Sequence, residues 1–211
     1  MVNATYTLYG EQGSGAVAVE AALTLAGQPY EVIEADGDVV DAVNPMRQVP
    51  ALILPSGEVM TESAAILIWL AESYPQAGLG PALGAPERAR FLRWMAYVSA
   101  QIYALYWLRD EPSRLVEEAG QQAVLKSRAQ DRIAHCWGEM ERQVKPGPWL
   151  LGERLSVLDL YVTVVSRWSP GRRRFYEVAP GMGEVVRRVD AEPKLAELWA
   201  RRFPFEAGWE G

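Results

Sequence analysis

Apolar and polar residues alternate over short runs in the first third of the chain and recur at helical spacing over the rest. Thr5-Tyr6-Thr7-Leu8-Tyr9 is rich in β-branched and aromatic residues, which predicts a strand. Residues 10–13 read as a turn. Ser14 then stands where it can cap a helix carrying Ala16, Val17, Val19, Ala22 and Leu25, with Gly27 as its stop. Residues 30–34 predict a second strand, and a short helix over 39–43 ends at Asn44-Pro45. Residues 51–54 predict a third strand, and Pro55-Ser56-Gly57 turns the chain into a short fourth over 58–60. A helix follows over 62–73, with Ile66, Leu67 and Leu70 on one side. A parallel βαβ unit followed by a hairpin and a helix makes a small α/β domain.

Residues 75–86 hold three prolines and three glycines and read as a linker. The pattern beyond is helical throughout. Phe91, Met95, Val98, Ile102 and Leu105 recur at four-three-four-three spacing, one face of a long helix. Ile133, Trp137, Met140 and Val144 give a second apolar face, stopped by Pro146-Gly147-Pro148. Ser156-Val157-Leu158-Asp159 has the spacing of a capping box. The helix it starts is apolar nearly all round and therefore central. Two shorter helices are expected over 182–189 and 193–202. The expected division is an α/β domain over 1–75, a linker over 76–86 and an all-helical domain over 87–211.

Composition narrows the classes. With 211 residues there is room for one large or two small domains with a buried core. A net charge of −6 and a sequence pI near 5.0 argue against a general nucleic-acid binder. One cysteine, Cys136, and one histidine, His135, exclude an intrachain disulfide and speak against a Cys/His metal site, which needs three or four ligands. The first nine residues lack a basic start followed by an apolar run, and no apolar run reaches the ~18 residues of a membrane span. The expectation is a cytoplasmic protein without a membrane partner.

The chemistry concentrates in two segments. Arg47-Gln48-Val49-Pro50-Ala51-Leu52 sets an X-Pro bond at a strand start, and Thr61-Glu62-Ser63-Ala64 sets a polar step at a helix start. Together they suit an extended, anionic, peptide-like ligand gripped by its backbone. Ser63 at a helix N-terminus can hold a carboxylate, and Glu62 an ammonium. Ser14 stands at the start of the first helix, where a hydroxyl and helix-end amides can stabilise a thiolate; the same hydroxyl can serve only as a cap. A free thiol with a pKa of ~8.5 is about 3% ionised at neutral pH. Lowering that pKa by ~2 units takes roughly 2.7 kcal/mol.

Four segments in order resemble the cytosolic glutathione transferases, the bacterial members most. They are Leu8-Tyr9-Gly10 with Ser14-Gly15, residues 44–52, Glu62-Ser63-Ala64-Ala65-Ile66, and residues 149–159. The resemblance covers nearly the whole chain. It implies a thioredoxin-like N-terminal domain, an all-α C-terminal domain, a homodimer, and glutathione as co-substrate with no metal. It implies that Ser14 donates to the thiolate and that Gln48 reaches the glycyl end of the tripeptide. The Val49 backbone, before a cis proline, would pair with the cysteinyl residue, while Glu62 and Ser63 hold the γ-glutamyl end. Tyr6 and Tyr9 rank below Ser14 as hydroxyl donors. Many bacterial relatives carry a cysteine where this chain has Gly15, which speaks against disulfide exchange through an enzyme thiol.

The function so implied is detoxifying conjugation of glutathione to an apolar electrophile, seated on Tyr103, Tyr106 and Trp107 or else leaving those rings to the bundle core. The alternative is a non-catalytic glutathione-binding or regulatory protein on the same fold. Cys136 reads as a core residue and His135 as non-catalytic. Asp36-Gly37-Asp38 reads as a turn, and Arg172-Arg173-Arg174 as a solvated loop.

Overall fold

A computed structural model describes residues 5–35, 37–168 and 172–204. Asp36 of the expected turn and the Ser169-Pro170-Gly171 stretch lie outside the described residues. Strand β1 (Tyr6–Gly10) buries alternate residues Tyr6, Leu8 and Gly10, as a period of two requires. Helix α1 (Ala16–Leu25) is buried over most of its length; its small side chains, Ala16, Ala18, Ala21 and Ala22, let it sit deep against neighbours. Gly27, at φ 67°, follows the helix end in the left-handed region that glycine tolerates. Strand β2 (Tyr30–Glu34) runs parallel to β1; β3 (Ala51–Ile53) is antiparallel to β1, and β4 (Val59–Met60) antiparallel to β3. The sheet order is β2-β1-β3-β4. Helix α2 (Ser63–Ser73) packs on α1.

The helix expected over 39–43 is instead a 3₁₀ turn, Gly37–Val40, followed by turns into Asn44. A few β-branched residues cannot repay the cost of a helical nucleus.

Helices α3 (Arg88–Tyr97) and α4 (Ala104–Asp110) are joined without a break by a π-helical segment, Val98–Tyr103. The wider turn rotates everything after it. Tyr106 is buried where the regular spacing pointed to Leu105, which is half-buried. Helix α5 (Ala119–Val144) places Cys136 in the core and His135 on the solvent side. Every residue of α6 (Val157–Ser166) is buried. At its start Asp159 accepts from the Ser156 amide and hydroxyl, both at 2.7 Å, and from the Leu150 amide at 2.8 Å.

Helix α7 (Arg173–Val178) replaces the loop expected for the arginine run; Arg173 and Arg174 are exposed as read, and Arg172 is the correction. Arg172 is 0% exposed. Its guanidinium pairs with Asp190 and donates to the Thr163 carbonyl at 2.9 Å and the Ser166 hydroxyl at 3.1 Å. Asp190 ends α8 (Pro180–Asp190), so the partner that permits burial comes from a later element. Helix α9 (Ala196–Arg202) returns to α1. One apolar core runs from the sheet through α1, α2 and α6 into the bundle. Among the described residues no helix is long and apolar enough to cross a membrane.

Candidate functional site

A cavity of about 810 Å³ lies where the loop after β1, the 47–49 segment and the start of α2 face the α3–α4 rod. Ser14, Gln48, Val49, Glu62, Tyr103, Tyr106 and Trp107 all line it. Seven of the eight sequence-expected site residues therefore share one space. The eighth, Ser63, sits behind the wall: it is 7% exposed, and its hydroxyl donates to the Tyr161 hydroxyl at 3.1 Å.

The first loop is held from the far end of the chain. The Gly13 amide donates to the Arg202 carbonyl at 2.8 Å, and the Gln12 side chain to the Arg201 carbonyl at 3.1 Å. The last carbonyls of a helix lack intrahelical partners, so the end of α9 offers acceptors that the loop fills. Trp168 closes the grip, its indole N–H donating to the Gly13 carbonyl at 2.7 Å. Below this anchor, Arg202 pairs with buried Glu20 of α1 at 2.8 Å and also with Glu34. Burial pushes the Glu20 carboxyl above its usual range, against the pull of Arg202. Ser14 is half-buried. Its hydroxyl donates to the Glu11 carbonyl at 2.8 Å and accepts from the Ala16 amide at 3.2 Å.

The opposite lip depends on Asn44, a buried residue whose amide donates to the Gln48 carbonyl at 2.8 Å while its oxygen accepts from the Met46 amide at 3.1 Å. Beyond it the Val49–Pro50 bond is cis. Arg47 points outward to Asp41 at 2.8 Å. Glu62 stands at φ 65°, an uncommon backbone for a side-chain-bearing residue, and precedes α2 at the cavity edge without a side-chain hydrogen bond to the helix end. The amides of the first turn of α2 have no partners within the helix. They and Glu62 offer a donor set beside a carboxylate, which matches a group carrying both an anion and an ammonium.

The rod supplies an aromatic wall. The Trp168 ring meets Tyr103 edge-on at 4.7 Å and Tyr106 at 5.0 Å. Trp107, 44% exposed, stands at the rim beneath Arg114. Arg109 is buried over Tyr106 and pairs with Asp110. Burial pushes the Tyr106 phenol up to about 12 and raises that of Tyr103 further, so both keep their protons at neutral pH. The site thus combines a polar, backbone-rich floor with an apolar aromatic side.

Sequence reasoning missed Trp168, Asn44 and the α9 end. Only Asn44 left a local trace, the Asn44-Pro45 pair. Tyr6 is buried and bonded to Tyr74, and neither it nor Tyr9 lines the cavity. A second cavity, about 860 Å³, lies between the 75–87 segment and residues 151–156, away from all of these groups. Among the described residues no cluster of three His, Cys, Asp or Glu is placed to hold a metal.

Residues 8–78 match the family model of the glutathione S-transferase N-terminal domain. The "uncharacterized GST-like protein YncG" of Escherichia coli K12 is 30% identical over 202 residues, 92% of this chain and 97% of that one. Glutathione S-transferase GstA of Escherichia coli O157:H7 is 23% identical over 198 residues, covering 90% of this chain and 95% of its own. The structure of a glutathione transferase homolog from Sulfitobacter, solved with bound glutathione, superposes with a TM-score of 0.83 at 27% identity, covering 92% of this chain and 97% of that one. Sheet order, helical bundle and these likenesses agree on a thioredoxin-like N-terminal part and an all-helical C-terminal part. The chain belongs to the glutathione S-transferase family.

Proposed function

We propose that the protein is a glutathione transferase that ionises the glutathione thiol at the start of α1 and adds it to an apolar electrophile. The observation that carries this reading is the single cavity in which Ser14, Gln48, Val49 and Glu62 meet Tyr103, Tyr106 and Trp107. Glutathione lies extended along the floor. Its γ-glutamyl ammonium meets Glu62, and its carboxylate meets the amides that start α2, with Ser63 among them. Its cysteinyl backbone pairs with Val49, and its glycyl end reaches Gln48. The sulfur then sits over the first turn of α1, where amides and the helix dipole favour negative charge. The Ser14 hydroxyl turns from the Glu11 carbonyl to the sulfur. The electrophile rests on the aromatic wall. Residues 1–75 act as the glutathione-binding domain, 76–86 as linker and 87–211 as the helical domain, in a cytoplasmic homodimer that needs no metal.

The rival reading, a non-catalytic glutathione-binding or regulatory protein, draws on the Ser14 hydroxyl being engaged with Glu11. Calorimetric titration with glutathione, followed by turnover of an aromatic halide, separates the two. The proposal expects binding, turnover, and a loss of about tenfold or more in kcat for Ser14→Ala with little change in glutathione affinity. Tight binding with no turnover of any electrophile tested would favour the rival.

A further inference from the structure

Gly15 has φ −60° and ψ −17°, a right-handed helical backbone open to any residue. Conformational need does not explain a glycine there, but space does. A Cβ on Gly15 would lie 2.5 Å from the Tyr103 hydroxyl oxygen and 3.0 Å from the nearest ring carbon, closer than real contacts allow. The phenol tip therefore rests on the backbone at the mouth of α1. Tyr103 ends the π-helical segment. Its ring is fixed by Trp168 at 4.7 Å and by Tyr161 at 6.2 Å, and Trp168 is itself bonded to Gly13 of the same loop. Tyr103 lines the cavity, and among the described residues its hydroxyl makes no hydrogen bond. This contrasts with Ser14, whose hydroxyl already donates to the Glu11 carbonyl.

We infer that the Tyr103 hydroxyl, reaching across from the helical part into the space Gly15 leaves, is the principal hydrogen-bond donor to the glutathione sulfur. The inference rests on the reading of the cavity as a glutathione site and reassigns Tyr103 from the electrophile wall to the thiolate. The thiol S–H bond breaks heterolytically; its electron pair stays on sulfur, its proton leaves to solvent, and no bond to the protein forms. Tyr103 keeps its own proton. Burial raises its pKa, and the nearby Tyr161, Glu62 and Glu11 raise it further, which suits a donor and disqualifies a base. The charged groups that line the same cavity are Glu11 from the first loop, Arg47, Glu62 from the start of α2, Arg109 and Asp110 from α4, and Arg114. A donor without a partner to relinquish contributes more than one that must first break a bond.

The test is ultraviolet titration of the bound thiolate in wild type, Tyr103→Phe, Ser14→Ala and Gly15→Ala. Phenylalanine keeps the ring contacts, so the thermal midpoint should stay put. The bound-thiol pKa should rise by about one to two units in Tyr103→Phe, and by less in Ser14→Ala. Gly15→Ala, which displaces the hydroxyl, should move the pKa the same way. A depressed pKa in wild type that Tyr103→Phe leaves in place overturns this inference and spares the glutathione reading. Failure of wild type to bind glutathione overturns both.

Discussion

The lip that presents Gln48 and Val49 is held by one buried amide, that of Asn44, which satisfies the Gln48 carbonyl and the Met46 N–H together. Asn44→Ala leaves both without that partner. It should cost about 1–3 kcal/mol in urea unfolding and weaken glutathione binding by calorimetry, and Asn44→Asp, which sets an acceptor against the Gln48 carbonyl, should not rescue either. That Ser14, Gln48, Val49 and Glu62 would face one cavity was legible in the sequence, because each belongs to a short local motif. Trp168 and Arg202 were not, because their partners lie 155 and 182 residues away and only the closed fold brings them together. The importance of Gly15 was legible only as a departure from pattern, since the ring that fills the space above it belongs to another element.

Elements with end signals in their own sequence were readable. Ser156 and Asp159 announce α6, and the structure adds the Leu150 amide to the same carboxylate. Asp159→Ala should lower stability by about 3 kcal/mol or more, since several buried donors lose one acceptor. Thermal unfolding would register it. The π-helical segment carried no such signal, because its apolar spacing is that of an ordinary helix up to Ile102 and shifts only afterwards. The arginine run misled for the opposite reason: three adjacent cations imply solvent until Asp190 folds back to meet the first. Arg172→Ala should cost about 3–5 kcal/mol by stranding buried polar groups. Arg173→Ala, whose side chain is 74% exposed, should change almost nothing.

Across the whole molecule, α9 fixes the start of the site: its last carbonyls accept from the first loop while Arg202 pairs with Glu20 beneath it. Arg202→Ala should unfold at lower urea and bind glutathione less tightly, and adding Glu20→Gln should recover part of the stability. The buried phenols set an alkaline limit. Burial pushes Tyr106 and Tyr161 from an ordinary 10.0 up to about 12. Their folded-state pKa values lie above the unfolded ones, so their stabilisation is full below pH 10 and is lost as pH rises toward 12. Phenolate absorbance should therefore appear together with unfolding in that window. The central claim is that the mouth of α1 turns a bound thiol into a thiolate. Its most direct test is the pH dependence of thiolate absorbance from glutathione bound to the wild-type protein. The expected midpoint lies about two units below the free thiol's ~8.5. Bound glutathione that titrates at the free value would contradict it.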